Sequence, residues 1–170
     1  MKQKHPPRRP PKVPRVAPAA NVTWLTTGLT TGHRDRQTHL ILAHGAGAPM
    51  TSPYLEAMAK LLNARGITVH RFEFDYMAAR RAGGARRPAP RAETLVGVYH
   101  HAILSCRARI GRDARLFIGG KSMGGRIACL TAAELQRSPS VDTKFEQRPK
   151  SDQKEGSAIH GVVVLGFPLH

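Results

Sequence analysis

Only two cysteines occur in the chain, Cys106 and Cys129, and neither stands at the spacing of a metal knuckle or a redox pair. That excludes a disulfide framework and a thiolate metal centre, and the thiols read as structural groups of a reduced, cytoplasmic protein. Acids are also scarce, with 11 Asp+Glu against 27 Lys+Arg and a formal net charge of +16. No apolar run approaches the roughly 18 residues of a membrane span, and the N-terminus lacks the continuous apolar region of a secretory signal. Aromatic residues make up only 5% of the chain. Without stacking residues between them, the basic segments support non-specific polyanion contact and nothing more sequence-specific.

The basic charge sits in two places. Residues 1–20 carry Lys2, Lys4, Arg8, Arg9, Lys12 and Arg15 among six prolines and no acid, the composition of a disordered, polyproline-like tail. A second cluster, Arg80, Arg81, Arg86, Arg87 and Arg91, lies in a Gly- and Pro-rich stretch that reads as a flexible loop.

Between these, strand and helix patterns alternate. Val22–Thr27, Thr38–Ala43, Ile67–Phe74 and Leu116–Gly119 read as strands, and Gly161 onward as a buried strand ending at a Gly and a Pro. Ser52 and Pro53 mark a helix start, with Leu55, Met58, Ala59 and Leu62 at helical spacing until Gly66. A second helix spans about Glu93 to Ile110, and a third about Gly124 to Arg137. His100 and His101 are adjacent on the second helix and face different ways, which argues against a metal pair. Residues 138–158 are charged and without period, and read as a disordered insertion. Fully apolar strands alternating with helices predict an α/β fold with a doubly wound, mostly parallel sheet.

The stretch from Arg115 to Arg126 organises this pattern. Gly120-Lys121-Ser122-Met123-Gly124 fits G-x-S-x-G between a strand and a helix, the setting of a nucleophile elbow. The glycines let strand and helix pack closely around a serine in a strained turn, and the helix N-terminus points free N–H groups at the reaction centre. Two other readings exist. Gly120-Lys121-Ser122 ends like a phosphate loop, but Arg115 stands where that motif needs a small residue, and a hydrophobic strand replaces the loop. A Gly-rich turn whose serine only caps a helix is the other.

Five segments in order, His44-Gly-Ala-Gly-Ala-Pro-Met, Arg71-Phe-Glu-Phe, the Arg/Pro-rich loop, Gly120-Lys-Ser-Met-Gly-Gly-Arg and Gly166-Phe-Pro-Leu-His, together resemble one branch of the α/β-hydrolase superfamily. This is the α/β-hydrolase-like family that contains the third subunit of the nonspecific-lethal chromatin complex and a testis-expressed protein, more distantly related to dienelactone hydrolases. The resemblance covers about Leu40 to His170 without the insertion. It implies an eight-stranded fold, of which this chain holds the first six strands, and a domain occupying residues 21–170.

The resemblance also implies roles. Ser122 would be the nucleophile, with the backbone N–H groups of Met123 and Ala46 as oxyanion hole and Gly120 and Gly124 flanking the turn. Gly45 and Gly47 would let the backbone approach the substrate oxygen. The chain order in this fold is Ser, acid, His, so His44 would order the loop rather than act as base. Asp75 stands where the family commonly has Pro, and it too precedes Ser122. Neither a cofactor nor a metal is implied. The substrate would be a small ester or acyl compound; the alternative is a non-catalytic interaction protein that binds another protein through the same fold.

The triad acid and histidine are not evident. Asp142 and Asp152 fall in the charged insertion, His160 precedes a strand, and His170 matches a strand-end residue. An edge formed by Val162 to Leu165 would be unprotected, so the chain is expected to be a fragment truncated at its C-terminus.

Overall fold

A computed structural model describes residues 22–28, 38–137 and 159–166. The tail, the insertion, Asp142, Asp152 and His170 lie outside the described residues. The described chain runs β1 (Trp24–Thr27), β2 (Thr38–Ala43), α1 (Pro53–Asn63), β3 (Ile67–Phe72), α2 (Asp75–Arg81), α3 (Ala92–Ile110), β4 (Arg115–Lys121), α4 (Met123–Arg137) and β5 (Gly161–Leu165).

Five described strands form one sheet in the order β1-β3-β2-β4-β5, antiparallel only at the β1–β3 pair. The α/β fold with a mostly parallel, doubly wound sheet is therefore what the apolar strands foretold. β2 is buried from His39 to Ala43 because helices cover both faces. On one face Leu40, Leu42 and Val69 pack against Leu55 and Ala59 of α1. On the other, Ile41, Phe72, Leu116 and Ile118 meet Tyr99 and Ile103 of α3 and Ile127 and Ala128 of α4.

β2 is central, with β3 on one side and β4 on the other. The strand order reverses between β2 and β4, where the loops leaving their carboxyl ends open a crevice between them. The register sets Ala43 opposite Gly120, so the segments starting at His44 and Lys121 emerge side by side.

Several expected boundaries shift. β1 begins at Trp24 and β3 ends at Phe72, short of the expected Phe74. The residues after it form the helix α2, where only a loop was expected. Tyr76 to Arg81 holds good helix formers, with Asp75 in the first turn and Arg80 and Arg81 in the last, complementing the helix dipole. Met77 alone is buried there, so no periodicity marks the helix. Ser52 occupies the N-cap of α1, but its side chain makes no capping hydrogen bond. β5 is half-buried rather than buried, with Val162 exposed, because among the described strands it pairs only with β4.

Candidate active site

Ser122 stands between the last residue of β4 and the first of α4 with φ +51°, the only non-glycine residue at positive φ among the described residues. Such a conformation costs about 1–3 kcal/mol and persists only where the surroundings hold it. Here they do so through the backbone. The Ser122 N–H donates to Leu165 O at 2.9 Å, and the Ser122 carbonyl accepts the Arg126 N–H at 3.1 Å.

The neighbouring glycines are required by close packing. A Cβ on Gly124 would sit 2.5 Å from His44 O and 2.8 Å from Ala43 O, and one on Gly120 would lie 2.7 Å from Gly125 N. The spacing G-x-S-x-G is thus a record of α4 crossing β2 and β4 at backbone contact. Beneath the elbow, the buried Tyr99 of α3 reaches the strand backbone. Its hydroxyl oxygen lies 2.6 Å from Gly119 O and 3.2 Å from Ile41 O, and it accepts the Gly119 N–H at 2.9 Å. Because α4 begins at Met123, its first N–H groups have no partner within the helix.

The loop after β2 runs against the serine. A Cβ on Gly45 would lie 3.8 Å from Ser122 Cβ and 3.4 Å from Lys121 O. Ala46 and Gly47 are exposed, and a Cβ on Gly47 would meet no protein atom within 4 Å, so the protein's own packing does not demand glycine there.

His44 is fully buried, and both of its ring nitrogens are engaged. Nε2 accepts the Phe74 N–H at 3.1 Å, which leaves Nδ1 as the protonated nitrogen donating to Gly45 O at 2.7 Å. Burial lowers its pKa, against smaller raising effects from Gly45 and Glu73. A neutral imidazole whose one lone pair already accepts a backbone N–H has no free site for another proton. The Tyr76 hydroxyl adds a longer contact to Gly45 O at 3.4 Å and to Ala46 O at 3.3 Å. Burial pushes the Tyr76 phenol up to about 12, so it is a proton donor at neutral pH. The Gly45–Ala46 peptide is trans, so holding the Gly45 carbonyl on one side turns the Ala46 N–H to the other.

Further along, two side chains of β3 and its end clamp the backbone N–H and carbonyl of one residue, Met50. Arg71 Nη1 donates to Met50 O at 3.0 Å, and Glu73 Oε1 accepts the Met50 N–H at 3.3 Å. Glu73 is buried and completes its pairing with Arg81 Nε at 2.8 Å. Arg71-Phe-Glu-Phe74 thus shapes the loop after β2: Arg71 and Glu73 take its far end, and the Phe74 N–H takes His44. Sequence reading missed these roles and that of Tyr76. The available signal was a pair of opposite charges, two residues apart, at the end of an otherwise apolar strand.

Among the described residues, no side chain is hydrogen-bonded to the Ser122 hydroxyl. Asp75 is exposed on α2. His160 is exposed beside β4, its Nδ1 accepting the Leu116 N–H at 3.2 Å. No three His, Cys, Asp or Glu side chains among the described residues converge as metal ligands. No described helix is long and apolar enough to cross a membrane. Cys106 is buried on α3, where burial pushes its thiol up to about 12, and Cys129 is half-buried on α4.

At the opposite end of β2, His39 and His70 stack with ring centroids 5.2 Å apart and share a hydrogen bond of 3.0 Å between Nδ1 and Nε2. His70 Nδ1 also lies 3.2 Å from Thr26 Oγ1. Burial lowers the pKa of both, assisted by Arg107 at His39 and by His39 and Arg109 at His70, which falls to about 4. This pair is remote from Ser122.

Comparison with known proteins follows the same lines. A family model described as "Alpha/beta hydrolase domain" matches residues 36–170. No curated protein matches the chain. Among solved structures, Thermogutta terrifontis esterase 2 phosphorylated by paraoxon superposes with a TM-score of 0.53 at 16% identity, over 87% of this chain and 53% of that one. A cold-adapted esterase from an Arctic intertidal metagenomic library gives 0.47 at 20% identity, over 68% and 51%. The chain spans about half the length of the structures it matches.

Proposed function

The chain belongs to the alpha/beta hydrolase domain family, and from that premise we propose that it is the elbow-bearing part of a serine hydrolase acting on a small ester or acyl substrate. Ser122 Oγ attacks the substrate carbonyl, and the N–H groups of Met123 and Ala46 hold the oxyanion. The acyl group passes to Ser122 as the alcohol leaves, and water then releases the acid. His44 and Tyr76 position the Ala46 peptide through the Gly45 carbonyl. A triad acid and histidine, absent among the described residues, would activate Ser122 and shuttle its proton.

The observation that carries this reading is the serine at φ +51° with the Gly45 position 3.8 Å from its Cβ. A serine that merely caps a helix has no need of a strained turn or of a second loop beside it. The five ordered segments support the finer placement in the branch of the nonspecific-lethal complex subunit and the testis-expressed protein. The residue assignments, the domain at 21–170, the basic tail and a cytoplasmic location belong to the same proposal.

The test is labelling with a fluorophosphonate probe, suggested by the paraoxon adduct of the T. terrifontis esterase. The natural protein should be labelled and its Ser122→Ala variant should not. Absence of labelling in folded protein overturns the hydrolase reading. It would favour the second reading, a non-catalytic interaction protein, which the unengaged Ser122 hydroxyl among the described residues also suits.

A further inference from the structure

The loop between α2 and α3 starts and ends at the candidate site. At its start, Tyr76 of α2 contacts Gly45 and Ala46, and Arg81 holds Glu73, which holds Met50. At its end, Arg91 precedes α3, whose Glu93 pairs with Arg126 of α4 at 3.3 Å. Arg126 is one turn beyond Ser122, whose carbonyl its N–H meets. The loop therefore passes from the side of the Ala46 peptide to the first turn of α4, bordering the approach to Ser122.

Its charge has few counterparts. Arg81 and Arg126 are paired with Glu73 and Glu93, but Arg80, Arg86, Arg87 and Arg91 form no ion pair among the described residues. Arg80 is half-buried and near enough to Tyr76 to influence its phenol, and the other three are exposed. On the α1 side, Lys121 precedes the serine with its Nζ 5.3 Å from the Tyr54 ring centroid. Asp75 is the sole described carboxylate at this end without an ion pair. A site bordered by one sign of charge concentrates ligands of the other sign and speeds their arrival.

Resting on the hydrolase reading, we propose that the substrate is an anionic ester. Its carboxylate or phosphate, set apart from the scissile carbonyl, is held by the arginines of the 80–91 loop while the carbonyl meets Ser122. Guanidinium groups suit either anion through paired N–H donors. No bond to the anion forms or breaks: it orients the ester, and the acyl transfer to Ser122 proceeds as described above.

The experiment compares 4-acetoxybenzoate and 4-acetoxyphenyl phosphate with the neutral 4-acetoxybenzamide in the natural protein. It repeats the comparison after joint replacement Arg80→Gln, Arg86→Gln, Arg87→Gln and Arg91→Gln. The anionic-to-neutral ratio of kcat/KM should fall by about tenfold or more in the variant. In the natural protein it should fall as salt is raised, an arm that needs no variant to fold. Arg65→Gln with Arg115→Gln, at the amino ends of the strands, should leave the ratio unchanged. The larger of the two anionic ratios identifies carboxylate or phosphate. Calorimetric binding of the same three compounds to the Ser122→Ala protein separates the two ideas. Anion-selective binding without turnover in the natural protein would sink the hydrolase reading, and the ester with it, while the loop's role in holding an anion stands. Turnover with an unchanged ratio would overturn that role alone. So would a loop variant that loses affinity for a DNA duplex while keeping its small-anion preference.

Discussion

The two ends of β2 carry buried histidines under different terms. At the carboxyl end, His44 has both ring nitrogens bonded to backbone, Gly45 O and the Phe74 N–H, so one tautomer is fixed and the ring acts as a strut. At the amino end, His39 and His70 bond to each other and His70 also to the Thr26 hydroxyl, partners that can each donate or accept. Backbone partners define a geometry, whereas side-chain partners leave the proton free to choose. The proposed role of the loop, presenting an N–H to a substrate, calls for the first arrangement; a pair that only fills the core can live with the second.

The sharpest way to break this comparison is to disturb the strut from outside. Gly124→Ala would place a Cβ 2.5 Å from His44 O and 2.8 Å from Ala43 O, both backbone atoms. We expect a loss of about 3 kcal/mol, at the upper end for overpacking, and loss of Ser122-dependent labelling. Urea denaturation and the fluorophosphonate assay check the two effects. Removing the strut itself, His44→Ala, leaves the buried Phe74 N–H without its partner and Gly45 O with only the longer contact to Tyr76. That should cost about 2 kcal/mol and slow labelling without abolishing it.

The amino-end pair should reveal itself by pH. Its folded-state pKa values are depressed below the ordinary 6.5, so the unfolded chain takes up protons first as pH falls. The stability is complete above pH 6.5 and drains as pH drops toward the folded value near 4 at His70. Inside that window His70 contributes a slope of up to about 1.4 kcal/mol per pH unit, and His39 adds to it in the same direction. Replacing both, His39→Gln with His70→Gln, should flatten the denaturation profile between pH 6 and 4.5 by roughly that slope or more. His44, whose pKa burial also lowers, should add a slope of the same sign, so His44→Ala should flatten the profile in the same direction. The smallest effect is expected at Asp75→Asn: on an exposed first turn, it should change labelling by less than about twofold and stability within about 0.5 kcal/mol.

Much of this was legible in the chain. The elbow could be read because G-x-S-x-G follows an apolar strand and opens an apolar helix, all within a dozen consecutive residues. The parallel sheet could be read because β2 and β4 have few polar positions. The loop clamp could not, since Arg71, Glu73 and Phe74 reach back 21 to 30 residues to Met50 and His44. No local period encodes such a contact. α2 escaped because one buried methionine makes no pattern. The pairing of His39 with His70 escaped because both lie in strands where the surrounding residues argue only for burial.

The hydrogen bond from Ser122 N–H to Leu165 O joins positions 43 residues apart along the chain. On a ribosome that separation becomes a delay. Until β5 has emerged, one of the two backbone bonds that hold the Ser122 turn has no partner, although all of β4 and α4 has already been made. The strained turn at Ser122 is therefore among the last features assembled in this part of the chain, after the elements that carry it have already had the chance to pair.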